Sequence, residues 1–221
     1  MAGITLMVGG VGASSSSSSS APKGEIGLSV DGTNCRWMAA LLNQAAVMDL
    51  RQLVVVPPRT AWRVQVACQV LHNDGNTDDA CLLAAVAALR DCRLPSVQLT
   101  PDGTVEIVPK DDNDDNGDDN DKEMKDGNDN SWKPIVFRNV PVPLTMGVYI
   151  QQDGTRALLA DPTAQEQPAL EGTIRVVVSE HERLLHVSQS ALSAVSRSDL
   201  ALASQMAFQR AKDMLSTVLD A

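Results

Sequence analysis

Two carboxylates, Asp161 and Glu166, lie in the loop best placed to do chemistry in this chain, which runs from Asp161 to Gln167. The segment Asp161-Pro162-Thr163-Ala164-Gln165-Glu166-Gln167 follows a short run, Ala157 to Ala160, that reads as a strand. Carboxylates held at a strand end can serve acid/base or metal work. A plainer reading competes with that one: Asp161-Pro162 opens a turn and a solvated polar loop follows. Composition favours the plainer reading, because Asx-Pro pairs are common turn punctuation.

The other chemistry-bearing patterns are weaker. Asp112-Asn113-Asp114-Asp115-Asn116-Gly117 with Glu123 in the twelfth place satisfies the written pattern of a calcium-binding loop. Neither flank reads as a helix, Asp119 stands where an apolar anchor is needed, and a tract of Asp, Asn and Gly meets the pattern by composition alone. Gly9-Gly10-Val11-Gly12 has no Lys-Ser/Thr partner and is followed by serines rather than a helix start, so a phosphate loop is not expected. His72, His181 and His186 are isolated, with no metal-ligand spacing, and no GxSxG elbow exists. Cys35, Cys68, Cys81 and Cys92 form no CxxC pair. The expectation is reduced thiols, the last three in apolar segments. No metal and no cofactor is expected.

Charge and composition narrow the function classes. The chain has 221 residues and a formal charge of −10, from 18 Lys+Arg and 28 Asp+Glu. Residues Asp111 to Asn130 carry ten of the acids against Lys122 and Lys125, so the remainder is nearly neutral. An autonomous nucleic-acid binder needs a basic surplus to displace counterions from phosphates, and three Trp, one Tyr and two Phe are a poor supply for base stacking. No stretch approaches the ~20 apolar residues that span a bilayer. The N-terminal apolar run has no basic residue ahead of it and reads poorly as a signal peptide. Ser14 to Ser20 reads as a flexible linker, and Asp111 to Asn130 as a solvated, self-repelling insert.

Structured elements must position the Asp161 loop. Ile4 to Val11 reads as a strand or strand remnant, and Asn34 to Met48 as a helix with Trp37, Leu41, Ala45 and Met48 at helical spacing. Leu53 to Val56 is a short β-branched run. Trp62, Val64, Val66, Cys68 and Val70 alternate with mixed residues, the clearest strand signal in the chain. After the turn Asn73-Asp74-Gly75-Asn76, a helix is predicted from Thr77 to Cys92, its first turn holding Asp78 and Asp79. Ala80 to Leu89 is wholly apolar, so that helix is expected to be covered on every side. Val97 to Leu99 and Val105 to Val108 predict a hairpin around Asp102-Gly103. Pro134 to Val142, Leu144 to Ile150 and Ala157 to Ala160 read as strands, with Asp153-Gly154 joining the last two. Thr173 to Val178 pairs with Leu184 to Val187. A final helix from Asp199 to Leu219 presents Leu200, Ala203, Ala207, Ala211, Met214 and Val218 as an apolar stripe. The tally is an α+β fold of short, mostly antiparallel strands with a buried helix between sheets.

Several of these segments resemble a known family. His72-Asn73-Asp74-Gly75-Asn76, Asp79-Ala80-Cys81, Ala84 to Leu89, Arg93-Leu94-Pro95, Pro141 to Met146, Leu158 to Thr163 and Gly172-Thr173-Ile174 are similar to the RNase PH-like subunits of the RNA exosome ring. The resemblance runs from Asn34 to the C-terminus, minus the acidic insert. It implies an RNase PH-like (ribosomal protein S5 domain 2-like) fold of mixed sheets and buried helices over 34–221, with 1–33 a degenerate, shortened N-terminal part. It also implies partners: the other RNase PH-like ring subunits, S1/KH cap subunits, and RNA threading the assembled channel, in nucleus, nucleolus and cytoplasm. Phosphorolytic members keep an aspartate pair six residues apart in this loop and hold phosphate through arginines. Asp161 fills the first of those positions and Gln167 the second. A carboxamide neither donates a proton nor carries negative charge, and no basic cluster is evident, so the resemblance implies a non-catalytic ring subunit. The alternative is an active phosphate-dependent 3′–5′ exoribonuclease.

Overall fold

The structure, a computed structural model, describes residues 2–10, 24–57, 60–101, 105–108, 132–191 and 195–218. In chain order its elements are β1 (Ala2–Gly10), β2 (Glu25–Val30), β3 (Thr33–Asn34), α1 (Arg36–Leu42), β4 (Val54–Val56), β5 (Thr60–Cys68), α2 (Thr77–Asp91), β6 (Arg93–Leu94), β7 (Val97–Leu99), β8 (Val105–Ile107), β9 (Lys133–Pro134), β10 (Pro141–Ile150), β11 (Arg156–Ala160), β12 (Gly172–Ser179), β13 (Leu184–Ala191) and α3 (Arg197–Val218). The serine run, the acidic insert with its calcium-loop pattern, the turn at Asp102-Gly103 and Gly12 lie outside the described residues. No described helix is long and apolar enough to cross a membrane.

The alternation in β5 is the seed of the first sheet. Ala61, Trp62, Val64, Val66 and Cys68 are buried while Arg63 and Ala67 face out. β1 pairs with β5 antiparallel over all nine residues, and β2 pairs with its other side in parallel. β3 and β4 complete five strands. From the N-terminal segment, β1, β2 and part of β3 lie in this sheet, and Ile26 and Leu28 are core residues.

α1 ends six residues short of the expected Met48, and Asn43 is the reason. Its Nδ2 donates to the carbonyls of Ala39 (2.8 Å) and Ile26 (2.6 Å), while its Oδ1 accepts from the Ile26 amide (3.0 Å). A side chain that bonds its own helix's last turn and a strand stops propagation, as short amides do at termini. Leu50–Leu53 is a 3₁₀ turn, started by Asp49 accepting from the Arg51 amide.

The second sheet runs in the order β11-β10-β12-β13, all antiparallel. One continuous ten-residue strand, β10, replaces the two strands expected on either side of Pro143, and residues 135–140 are irregular except for a bridge from Phe137 to Met48. Proline is tolerated because β11 pairs only from Met146 onward. The Thr145 amide, two residues on and so pointing the same way, leaves the ladder to bond a side chain. The missing N–H of Pro143 therefore faces an unpaired stretch of edge, where it removes no ladder bond.

α2 packs between the two sheets, touching β1 and β5 on one side and β10 on the other; α3 covers the far face of β10 and β12. Coverage of α2 is incomplete, contrary to expectation: Ala80 and Ala87 are exposed, Ala84 is half-buried, and Cys81, Leu82, Ala85, Val86 and Leu89 are buried. Within α3, Ala203, Ala207 and Ala211 are buried as expected, whereas Leu200 is 36% exposed. α3 also begins earlier than Asp199. The Ser196 hydroxyl accepts from the Asp199 amide and the Asp199 carboxylate accepts from the Ser196 amide, both at 3.0 Å, a reciprocal cap.

Candidate functional site

The Asp161 loop meets the Asn73–Asn76 turn, and the two are fitted backbone to backbone. The Ala164 amide donates to the Asp74 carbonyl at 2.7 Å. Gly75 has φ +99°, and a Cβ there would lie 2.5 Å from the Pro162 carbonyl oxygen, so only glycine allows this approach. Asn76 (φ +44°) and Asp161 (φ +55°) both hold left-handed backbone, which Asn and Asp tolerate better than most residues.

Between these two strained residues the side chains join. Asn76 Nδ2 donates to Asp161 Oδ1 at 2.6 Å and to Asp79 Oδ2 at 2.9 Å. Arg210, from α3, places its Nη1 3.8 Å from Asp161 Oδ2. Two buried atoms here, Asn76 Oδ1 and Arg210 Nε, make no hydrogen bond among the described residues. Beside them a cleft is floored by Leu144, Ala160, Met206 and Met214.

Deeper in, Asp79 is the buried centre of a polar network, 2% exposed. Its carboxylate accepts from the Thr145 amide and from Thr145 Oγ1, each at 2.7 Å. Arg175 on β12 donates from Nε to Thr145 Oγ1 (3.2 Å) and from Nη2 to Asp78 Oδ2 (2.7 Å), with its Nε 3.8 Å from Asp79 Oδ1. The guanidinium lies 4.5 Å from the centre of the Trp37 ring, which in turn stacks on His186 at 5.5 Å. A buried carboxylate is tolerable only with such a set of donors.

Gln167 stands apart from all of this. It is exposed, and its backbone amide donates to the Thr163 carbonyl as the loop turns into the 3₁₀ segment Gln167–Ala169. Glu166 turns inward on the loop, accepting from the Thr163 amide (2.9 Å) and hydroxyl (2.8 Å), and those bonds lower its pKa. The plain turn reading of Asp161–Gln167 thus describes the geometry: each of its acids is engaged in holding the loop. Of the histidines, His72 and His181 are exposed and His186 is part of the Trp37 stack. The four cysteines are free thiols, two buried and two half-buried, with burial pushing Cys81 up to about 11. Asn76, Asp79, Thr145, Arg175 and Arg210 are not legible as one cluster; each lies in a segment that reads as a turn, strand or helix, but nothing in their spacing joins them.

The fold these elements define is the RNase PH-like α+β fold. Residues 17–95 match the model of the RNase PH family, described as 3′ exoribonuclease family, domain 1. Among curated proteins, the chain is 24% identical over 181 residues to the exosome complex component Rrp42 of Pyrococcus abyssi, covering 81% of this chain and 57% of that one. It is 24% identical over 155 residues to human exosome complex component RRP45, covering 70% of this chain and 30% of that one. Among solved structures, an archaeal exosome core chain superposes with a TM-score of 0.66 at 18% identity, over 96% of this chain and 74% of that one. A chain of the Archaeoglobus fulgidus exosome, solved with RNA bound to the active site, gives 0.65 at 16%, over 97% and 77%. The chain is similar to exosome complex components in sequence, and its fold is that of an exosome core chain. The chain spans just over half the length of the archaeal relatives it matches.

Proposed function

We propose that this chain is a non-catalytic structural subunit of the RNA exosome core ring, supporting 3′-to-5′ RNA processing and degradation, including rRNA maturation and mRNA turnover. The observation that carries the proposal is the state of the two loop positions. Asp161 is tied to Asn76 at 2.6 Å and faces Arg210, while Gln167 is an exposed amide with no carboxylate to pair. General acid/base catalysis needs a group able to give or take a proton at the reacting atom; an amide at the second position supplies none. Arg210 faces the Asp161 carboxylate, so its charge is opposed rather than open to phosphate. The Asp74-Gly75-Asn76, Asp79-Ala80-Cys81 and Asp161-Pro162-Thr163 signatures most resemble the ring subunit called ribosomal RNA-processing protein 43, and that ring position is part of the proposal. So are its partners: the other RNase PH-like subunits, S1/KH caps, RNA in the assembled channel, and residence in nucleus, nucleolus and cytoplasm.

The test is direct. Purified chain incubated with single-stranded RNA and inorganic phosphate is expected to release no nucleoside diphosphates, and to be retained by co-expressed ring subunits in pull-down. Diphosphates that vanish with Asp161→Ala would instead establish the phosphate-dependent exoribonuclease.

A further inference from the structure

Arg63, Arg156, Arg175, Arg210 and Lys212 each face a carboxylate. One strip of surface breaks that pattern. Residues 132–138 run across it and are tied on both sides. β9 pairs with β6, setting Arg93 opposite Pro134 and Leu94 opposite Lys133, and the Ile135 amide donates to the Cys92 carbonyl at 3.4 Å. Arg93 Nη1 donates to the Arg90 and Asp91 carbonyls (3.1 and 3.2 Å), so the end of α2 belongs to the same surface. On the other side, Gln52 accepts from the Val136 amide (2.8 Å) and donates to its carbonyl (3.0 Å). Arg138 and Arg51 then share one carboxylate oxygen, Asp49 Oδ2, at 2.6 and 2.9 Å.

Five cations of the strip, from three separate stretches of sequence, thus meet two acids, Asp49 and Asp91, and all five are exposed. Among the described residues no acid lies within ion-pair distance of Arg90, Arg93 or Lys133. The stretch that the strip flanks carries the opposite charge. Residues 109–131 lie outside the described residues, and the chain on either side of them is anchored here. The Val108 amide donates to the Ser96 carbonyl at 2.9 Å, three residues beyond Arg93, and Trp132 directly precedes Lys133. Within that stretch Asp111 to Asn130 holds ten acids against two lysines. We propose that this acidic insert lies against the basic strip, held there by charge, and excludes other polyanions from it.

Charge and tethering select that occupant. A segment joined to the protein at both ends competes at an effective concentration on the order of mM, whereas an acidic peptide or nucleic acid from solution must displace it. With Met124 as its one apolar side chain, the insert makes ionic contact and no packed core, so salt releases it. The proposal joins two parts of one chain and is independent of the ring-subunit proposal.

A nitroxide on Asn120→Cys in the full chain reads the contact by NMR. At about 50 mM salt it is expected to broaden the amide signals of residues 49–52, which are remote from the insert in sequence. Raising the salt to about 1 M, where screening acts over about 3 Å, should restore them. The unmodified chain treated with the same reagent corrects for the native cysteines. Arg51→Glu with Lys133→Glu should abolish the broadening and leave the rest of the spectrum in place. A second arm leaves the strip intact: replacing the ten acids of the insert by their amides should tighten binding of a fluorescent heparin oligosaccharide about tenfold at low salt. Adding the two charge reversals should remove that gain. No broadening at residues 49–52, or broadening that survives high salt or the reversals, overturns the proposal. So does a heparin affinity that the amide replacements leave unchanged, or a gain that the reversals leave intact, because the insert would then act through net charge and not at this strip.

Discussion

The two sheets enclose cores built by opposite means. In the first, large side chains fill the space: Met38, Leu41 and Leu42 from α1, Leu82 and Leu89 from α2, against Ile26, Leu28, Trp62, Val64 and Val66 of the sheet. In the second, the fully buried residues α3 offers to Val142, Leu144, Met146, Val148, Ile174, Val176 and Val178 are Ala203, Ala207 and Ala211, with Met206, Phe208 and Met214 packed half-buried beside them. Alanine adds little volume, so there the helix backbone itself lies close to the sheet. The cores touch through β12, where Val176 and Val178 belong to the second and Val177 to the first, all three fully buried. A strand buried on both faces reads as an unbroken apolar run rather than an alternation. Packing of this kind makes the first core sensitive to lost volume and the second to added volume.

Between the two cores sits the polar node, and breaking it should have the largest effect. Asp79→Ala strips the acceptor from Thr145 and Asn76 and removes one of the two carboxylates facing Arg175, which keeps Asp78, leaving buried donors without a partner. Removing one partner of a buried ionic cluster costs about 3–5 kcal/mol, read as a lower urea midpoint. A loss below about 1 kcal/mol would mean the two sheets are held together by apolar contact alone. The next effect sharpens the contrast between cores. Leu89→Ala should cost about 2–5 kcal/mol by leaving a cavity, and Ala207→Leu about 1–3 kcal/mol by forcing α3 away from its sheet. If Ala207→Leu proved neutral, the close approach of α3 would not be what fills the second core.

The same contrast explains what could be read in the sequence. β5 and α3 were legible because each shows a single period over a long stretch: alternation at Trp62 to Cys68, and three- to four-residue steps at Ala203, Ala207 and Ala211. The sequence of β10 reads as two strands because Pro143 punctuates it, and the unpaired edge beside that residue makes the proline harmless. The helical spacing runs past the end of α1 because Asn43 ends the helix through bonds to Ile26, a residue of a strand seventeen positions earlier that periodicity does not reveal. The exposed Ala80 and Ala87 of α2 were unforeseeable in the same way: which side of an all-apolar helix meets solvent depends on its neighbours. For the loop, Asp161 and Gln167 could be singled out, but the partner of Asp161, Asn76, lies 85 residues away. Such pairings arise from the docking of the two sheets, which no local pattern encodes.

The smallest expected effect tests the rim of that node by pH. His186 on β13 stacks on Trp37 with the rings 21° from parallel, and Arg175 lies over the same indole. Burial, and then the Arg175 guanidinium, hold the His186 pKa below the usual 6.5. In the unfolded chain the imidazole titrates near ~6.5, so as pH falls the unfolded state takes up the proton first. The stability contribution is therefore complete above ~6.5 and declines as pH drops through that value toward the lower folded pKa. Carboxylates with lowered pKa, Glu166, Glu182 and Asp199, act in a separate and more acidic window. Urea midpoints taken at about pH 7.5 and about pH 5.5 should accordingly differ more in the unmodified protein than in His186→Phe, which keeps an aromatic ring on Trp37 and removes the titration. Equal differences in the two proteins would show that the stack feels neither its burial nor the arginine beside it, and that the Trp37 rim is only packed against the node rather than coupled to its charge.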